Sequence, residues 1–362
     1  MSDIKIKTIV RSVRDLSRPE VLGNVANVAK MTICGAAAIR AYQSNPYLES
    51  EDQPVEMVGI ADGQVIGSVR TMPMPLWADG KEYVSSANPD IRVEAEYRKT
   101  GYALDLIEFG SKASPDKVKV DYYVSQSARR VAKAHGAAVF DIRQFAVVRD
   151  SALFLKNRLP RKFAAIGCFG LNLVFAVHRL ILGALVAIRT WNWRFMLADD
   201  EASVEEFVSL IEKDTHRFRP NATVKFHNWI LKQDFGRIEN ADKHLWKVVC
   251  KGRALGFVIT WRNLSGRGRV IDWQVPVAHE CDLPWMLLAA SHKCLRTCKA
   301  VVISVSCEDP DLVNGLKRLL PRIPMQAATV DADADSPLQQ HNGWREQKNW
   351  RIRPTMGDSC LY

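Results

Sequence analysis

Ile91-Arg-Val-Glu-Ala-Glu-Tyr-Arg-Lys-Thr-Gly-Tyr-Ala103 is the stretch on which the reading of this chain turns. Ile91 and Val93 close an extended run, and a helix begins near Ala103 and continues to about Lys112. Between them lies a short loop containing Arg98, Lys99, Thr100, Gly101 and Tyr102. The first four N–H groups of a helix have no partner inside it, and the helix dipole favours negative charge at that end. Gly101 lets the backbone approach a bulky anion. Ala103 keeps the helix start narrow, and Arg98 and Lys99 add positive charge. The unit therefore predicts a phosphate site.

Working outward, Ile4 to Val13 alternates apolar and charged residues, as a strand does. Ser17-Arg-Pro-Glu20 reads as a capping box opening helical segments that run to Tyr42. Val55–Ile60 and Val65–Thr71 form a hairpin around Asp62-Gly63. Pro73 and Pro75 are expected to end the second strand. Short strands follow at Tyr83–Ser86 and Asp90–Val93. After the central helix come a strand (Val118–Val124), a helix (Ala128–His135) and a strand (Ala138–Phe145). This is α+β order with a crossover in the middle.

Residues 163–188 are almost wholly apolar, interrupted by Asn172 and by His178-Arg179. Arg158, Arg161 and Lys162 precede them, and Arg189, Trp191 and Trp193 follow. Length alone would allow a membrane span, but an arginine near the centre opposes one. Basic flanks with tryptophans suit an interfacial helix. A helix buried between two domains is the other reading. Beyond it the first half's element order recurs: a strand at Trp193–Leu197, a helix capped by Ser203-Val-Glu-Glu206, strands at Leu245–Val249, Ala254–Trp261 and Val270–Val275, a helix at Trp285–Leu295, a strand at Ala300–Ser306 and a helix at Asp311–Leu320. Asp331–Gln340 reads as a loop, and Trp350–Ile352 as a last strand. The expected domains are 1–150, a linking segment 151–195, and 196–362.

The 362 residues suit two domains, and the net charge of +10 favours phosphate-bearing partners. The eight cysteines are scattered without a CxxC pair, so no zinc site is expected and a reducing compartment is. The N-terminus lacks a signal-peptide apolar run, which predicts a cytoplasmic protein, with the inner membrane surface as a further location through residues 158–193. There is no Walker loop and no strand-linked G-x-G-x-x-G, so nucleotide hydrolysis and NAD use find no support.

The Arg98-x-x-Gly101-x-Ala103 pattern resembles the acyl-CoA pyrophosphate loop, [QR]-x-x-G-x-[GA], of the GNAT acyltransferase superfamily. The later stretch 124–137 is similar to that family's next helix through Ala128, Val131 and Gly136. It departs at Ser125, where Asn is common, and at Ala132, where many members carry a tyrosine that protonates the leaving thiolate. The resemblance covers most of residues 1–150, and the second half looks like a second, degenerate unit without the loop. It implies tandem GNAT-like domains with mixed sheets flanked by helices. It further implies acyl-CoA, acetyl-CoA first, as co-substrate, with no metal. Arg98, Lys99, Thr100, Gly101, Tyr102 and Ala103 would hold the diphosphate. Backbone groups at Ile91 and Val93 would orient the pantetheine and polarise the carbonyl. Glu94 and Glu96 are the candidate bases that deprotonate an amine or hydroxyl acceptor, a small molecule such as an envelope or polysaccharide precursor. The alternatives are a tRNA-dependent aminoacyl transferase and a non-catalytic membrane-associated protein.

Overall fold

The computed structural model describes residues 5–124, 126–152, 161–220, 222–233, 242–263 and 266–355. Along the first half these form β1 (Lys7–Ser12), α1 (Val28–Met31), α2 (Ala36–Gln43), β2 (Pro54–Ala61), β3 (Gln64–Ala78), β4 (Lys81–Val93), α3 (Tyr102–Lys112), β5 (Val118–Val124), α4 (Gln126–Ala134) and β6 (Ala138–Val148). The chain continues with α5 (Arg161–Arg189), β7 (Trp193–Leu197), α6 (Glu201–Glu212), β8 (Phe218–Pro220), α7 (Val224–Lys232), β9 (Asp242–Cys250) and β10 (Arg253–Arg262). It ends with β11 (Arg267–Gln274), α8 (Leu283–Leu295), β12 (Ala300–Ser306), α9 (Pro310–Leu319) and β13 (Arg322–Ala332).

These elements make two compact units, neither contiguous in sequence. The first comprises Met1–Phe140, Thr215–Arg237 and Ala327–Tyr362, and the second Asp141–Asp214 and Ile238–Gln326. Boundaries at 150 and 195 do not coincide with this division. In the first unit β1, β2, β3 and β4 are successive antiparallel neighbours, and β5 joins β4 in parallel. Residues Ala327–Ala332 of β13 then pair antiparallel with β5. In the second unit β7, β9, β10 and β11 are antiparallel neighbours, β12 joins β11 in parallel, and β6 pairs antiparallel with β12. Each sheet thus has the same order, and each is closed by the strand that follows the other half's last helix.

Several local expectations need correction. Pro73 and Pro75 do not end β3, which runs through both. The pairing of β2 with β3 stops at Arg70, and β8 joins β3 only from Leu76. A proline there costs no ladder bond on that edge. The two short strands expected at 83–86 and 90–93 are one strand, β4, bent by a bulge: Arg70 pairs with Asp90 but Met72 with Ala87. Ser17 caps no helix; the segment forms two 3-10 turns, Arg14–Ser17 and Pro19–Val21. The cap of α6 is Asp200, whose carboxylate accepts the Ser203 N–H at 2.9 Å. Asp331 and Ala332 belong to β13, and Trp350 makes an isolated bridge to Phe218 in place of a strand. Ser125 lies outside the described residues.

The core of the first unit holds a buried charge cluster. Glu56 on β2 is fully buried and accepts from Arg11 of β1 at 2.6 Å and from the Ile33 backbone N–H at 2.6 Å, with Arg70 of β3 at 3.6 Å. Removing one member leaves charge stranded in the interior. Glu56→Ala should therefore cost about 3–5 kcal/mol, read as a lower denaturant midpoint. A second cluster ties in the late segments. Asp79, in the β3–β4 turn, takes a bidentate contact from Arg217 at 2.7 and 2.6 Å and one from His341 at 2.8 Å. The Arg217 hydrogen bonds hold the Asp79 carboxyl below its ordinary value. Its contribution is therefore present above about pH 4 and lost as pH falls through that range. The stability gap between the wild-type protein and Asp79→Asn, followed by thermal melts, should close as pH drops towards 3.

Candidate active site

The site is built where β4 gives way to α3. Gly101 is the residue before the helix and adopts φ +88°, in the left-handed region where a Cβ is strained. The Leu104 N–H returns to the Gly101 carbonyl at 2.8 Å. The Thr100 N–H and hydroxyl both return to the Tyr97 carbonyl, at 3.2 and 2.8 Å. Among the described residues no acceptor meets the N–H of Gly101 or Ala103, so both remain for a ligand. The Arg98 Nε donates to the Val93 carbonyl at 3.1 Å, which folds that side chain back along β4. Lys99 and Thr100 are exposed.

Tyr102 faces the other way. Its ring is buried against β2 and β3, over Gly59 and Gly67, which pair with each other across the ladder. A Cβ on Gly59 would lie 2.4 Å from the ring, and one on Gly67 3.0 Å from it. Burial pushes the Tyr102 phenol up to about 12. Only its backbone is placed to serve a ligand at the loop, and its N–H already reaches the Thr100 hydroxyl at 3.4 Å. Of the acids, Glu94 pairs with Lys30 at 2.7 Å, and Glu96 is exposed. Tyr97 is buried and donates to Asp62 at 2.9 Å.

The parallel neighbours β4 and β5 share one pair, Ser86 with Lys119. At Asn88 the β4 backbone N–H turns instead to the Asp121 carboxylate at 2.9 Å. Beyond it, among the described residues, β4 has no strand on its β5 side, so the run containing Ile91 and Val93 presents an open edge. The bulge falls at the same point, setting Asn88 and Pro89 opposite Thr71. Both polar atoms of the Asn88 carboxamide are buried and meet no partner among the described residues. Such a group calls for a water or a ligand atom. Lys119 is buried between Asp121 at 4.0 Å and Asp331 at 3.6 Å, and Ser111 donates to Asp331 at 3.2 Å. Burial raises the Asp121 carboxyl above its ordinary value, against the pull of Lys119. The sequence gives no signal for Asn88 and Asp121, which meet only through strand pairing 33 residues apart. Among the described residues no cluster of three or more His, Cys, Asp or Glu could hold a metal.

The second unit lacks this arrangement. Its β11 and β12 stay paired over four consecutive residues, Arg267 to Val270 against Ala300 to Ile303. The residue before α8 is Asp282, already engaged by Arg189 at 3.4 Å and by His279 at 3.8 Å. Its carboxylate makes no cap hydrogen bond, yet it places negative charge beside the helix start, which disfavours an anion there.

No protein-family model and no curated protein matches the sequence. The structure is similar to that of Saccharomyces cerevisiae N-myristoyltransferase with bound myristoyl-CoA and inhibitors, at 11% identity and a TM-score of 0.56, over 93% of this chain and 84% of that one. It also aligns with a GCN5-related N-acetyltransferase from Kribbella flavida, at 14% identity and a TM-score of 0.47, over 92% and 72%. A tandem GNAT protein from the clavulanic acid biosynthesis pathway aligns at 10% identity and a TM-score of 0.49, over 91% and 98%. The fold is thus α+β, with mixed sheets flanked by helices, and is shared with the N-myristoyltransferase.

The glycine floor under Tyr102 should set the position of α3. Gly59→Ala is expected to destabilise the protein by about 1–3 kcal/mol through overpacking. Adding Tyr102→Ala should recover part of that loss, so the two changes would be non-additive in a double-mutant cycle of chemical denaturation.

Proposed function

We propose that the first unit is an acyl-CoA-dependent acyltransferase that moves an acyl group, acetyl first among candidates, to an amine or hydroxyl of a small acceptor. The observation that carries this reading is the open edge of β4 running into a basic, glycine-capped helix start. The free N–H groups of Gly101 and Ala103, with Arg98 and Lys99 beside them, suit the diphosphate of CoA. The open edge of β4 suits the two amides of the pantetheine arm, which can pair with a strand as another strand would. The fold shared with a myristoyl-CoA-bound transferase supports the same reading.

A pantetheine laid along β4 from the loop carries the thioester away from Glu94 and Glu96, towards the bulge at Asn88. Glu94 is held by Lys30 and Glu96 stands in solvent. Asp121 is half-buried at the bulge with a raised proton affinity, and we assign it the role of general base ahead of both. The acceptor nitrogen or oxygen attacks the thioester carbonyl, the new N–C or O–C bond forms, and the C–S bond breaks. The acceptor's proton passes to Asp121. The thiolate takes its proton from water, since Ala132 stands where the resemblance would put a tyrosine.

Calorimetric titration of acetyl-CoA and longer acyl-CoAs should show micromolar binding that Gly101→Trp abolishes. Failure of every acyl-CoA to bind would overturn the reading. With an acceptor in hand, Asp121→Asn should lower kcat about 100-fold with little change in KM for acyl-CoA, while Glu94→Gln and Glu96→Gln stay within a few-fold.

A further inference from the structure

In α5 the usual surface pattern is inverted. Helices at a protein surface turn apolar residues inward and polar residues to water. Here the polar residues point inward. The Asn172 side chain accepts the Ser151 N–H at 2.7 Å, and the Arg179 guanidinium donates to the Val148 and Arg149 carbonyls at 2.7 and 3.2 Å. His178 lies 2.9 Å from the Leu319 carbonyl. Leu182 and Val186 complete the packed stripe, buried in the same cluster as Met286, Leu287 and Ala290 of α8. The opposite face is apolar and bare. Phe169 is 76% exposed, Leu180 75%, Ile188 73% and the following Trp191 80%, with Leu173 and Val177 exposed between them. Of the strongly apolar stretch Cys168–Arg189, only 11% is buried.

The stripe is longer and more continuous than the scattered apolar residues of a soluble surface, so it needs a cover. The charge around it says which. From Ser151 to Ala198 there is no Asp or Glu, while Lys156, Arg158, Arg161 and Lys162 precede the exposed stripe and Arg189 and Arg194 follow it. A second copy of this +10 chain would bring like-charged flanks together. An apolar layer rimmed with negative charge complements both the stripe and its flanks.

We propose that α5 lies in the plane of an anionic lipid bilayer, with Phe169, Leu173, Val177, Leu180 and Ile188 sunk among the acyl chains. Arg189, Trp191 and Arg194 sit at headgroup level. The helix does not cross: one side stays on the protein, where Asn172, His178 and Arg179 keep their partners. This inference is independent of the acyltransferase reading, since none of these residues touches the β4–α3 loop.

The full-length protein, mixed with vesicles of phosphatidylcholine alone or with about 30% phosphatidylglycerol, should float with the anionic vesicles and several-fold less with the neutral ones. High salt should weaken the capture. The double substitution L180E/I188E should reduce flotation at least 10-fold while circular dichroism and the melting temperature stay unchanged, because both side chains point away from the core. Flotation equal to wild type in that variant would overturn the proposal, as would no flotation of the wild-type protein or equal capture by both vesicle types. A wild-type dimer in sedimentation velocity that L180E/I188E splits, without vesicle binding, would assign the stripe to a second copy instead.

Discussion

The phenol ring of Tyr102 rests on two glycines, and the site depends on that contact. Gly59 and Gly67 face each other across β2 and β3, and their missing side chains leave room for one aromatic ring. The ring is the first residue of α3, so its depth fixes how far the helix start stands off the sheet. That distance in turn sets where Gly101 turns and where the unpaired N–H groups point. A site formed mostly of backbone needs such a fixed reference, because it has few side chains that could re-aim to compensate.

The two units show how little separates a candidate site from a scaffold. Both have a meander, a parallel neighbour and a helix that begins where the meander ends. In one, parallel pairing stops after a single residue pair and the helix opens with a glycine. In the other, the strands stay zipped for four residues, and an aspartate and Pro284 occupy the helix start. A closed strand edge and a carboxylate beside the positive end of the dipole both work against a bound phosphate.

The strand, basic loop and helix of residues 91–112 were legible because their signals are local: alternation, a glycine that must turn left-handed, and helical periodicity. The prolines of β3 misled because proline forbids a strand only where a neighbour needs its N–H, and neighbours are set by the rest of the sheet. The divided strands at 83–86 and 90–93 misled for a related reason, since a bulge interrupts alternation without ending pairing. β8 and β13 leave faint local traces: the first spans three residues, and the second carries Pro324 and three alanines. Asn88 and Asp121 are invisible until two strands are laid side by side. In α5 the apolar content was plain, yet its inverted orientation was not, because periodicity shows that a helix has two faces and not which one the protein covers.

The exchange of closing strands also bears on how the chain comes to be folded. Residues Ala327–Ala332 complete the sheet that begins at Lys7, so the first unit's ladder spans more than 300 residues of sequence. On the ribosome, this unit has to wait for Ala327–Ala332 before β5 gains its second neighbour. Until then β5 exposes a bare edge, the kind of surface on which unfinished chains aggregate. Contacts this distant in sequence also slow the search for the native pairing. A unit that takes its closing strand from a distant part of the sequence thus carries its aggregation hazard for as long as that strand is missing.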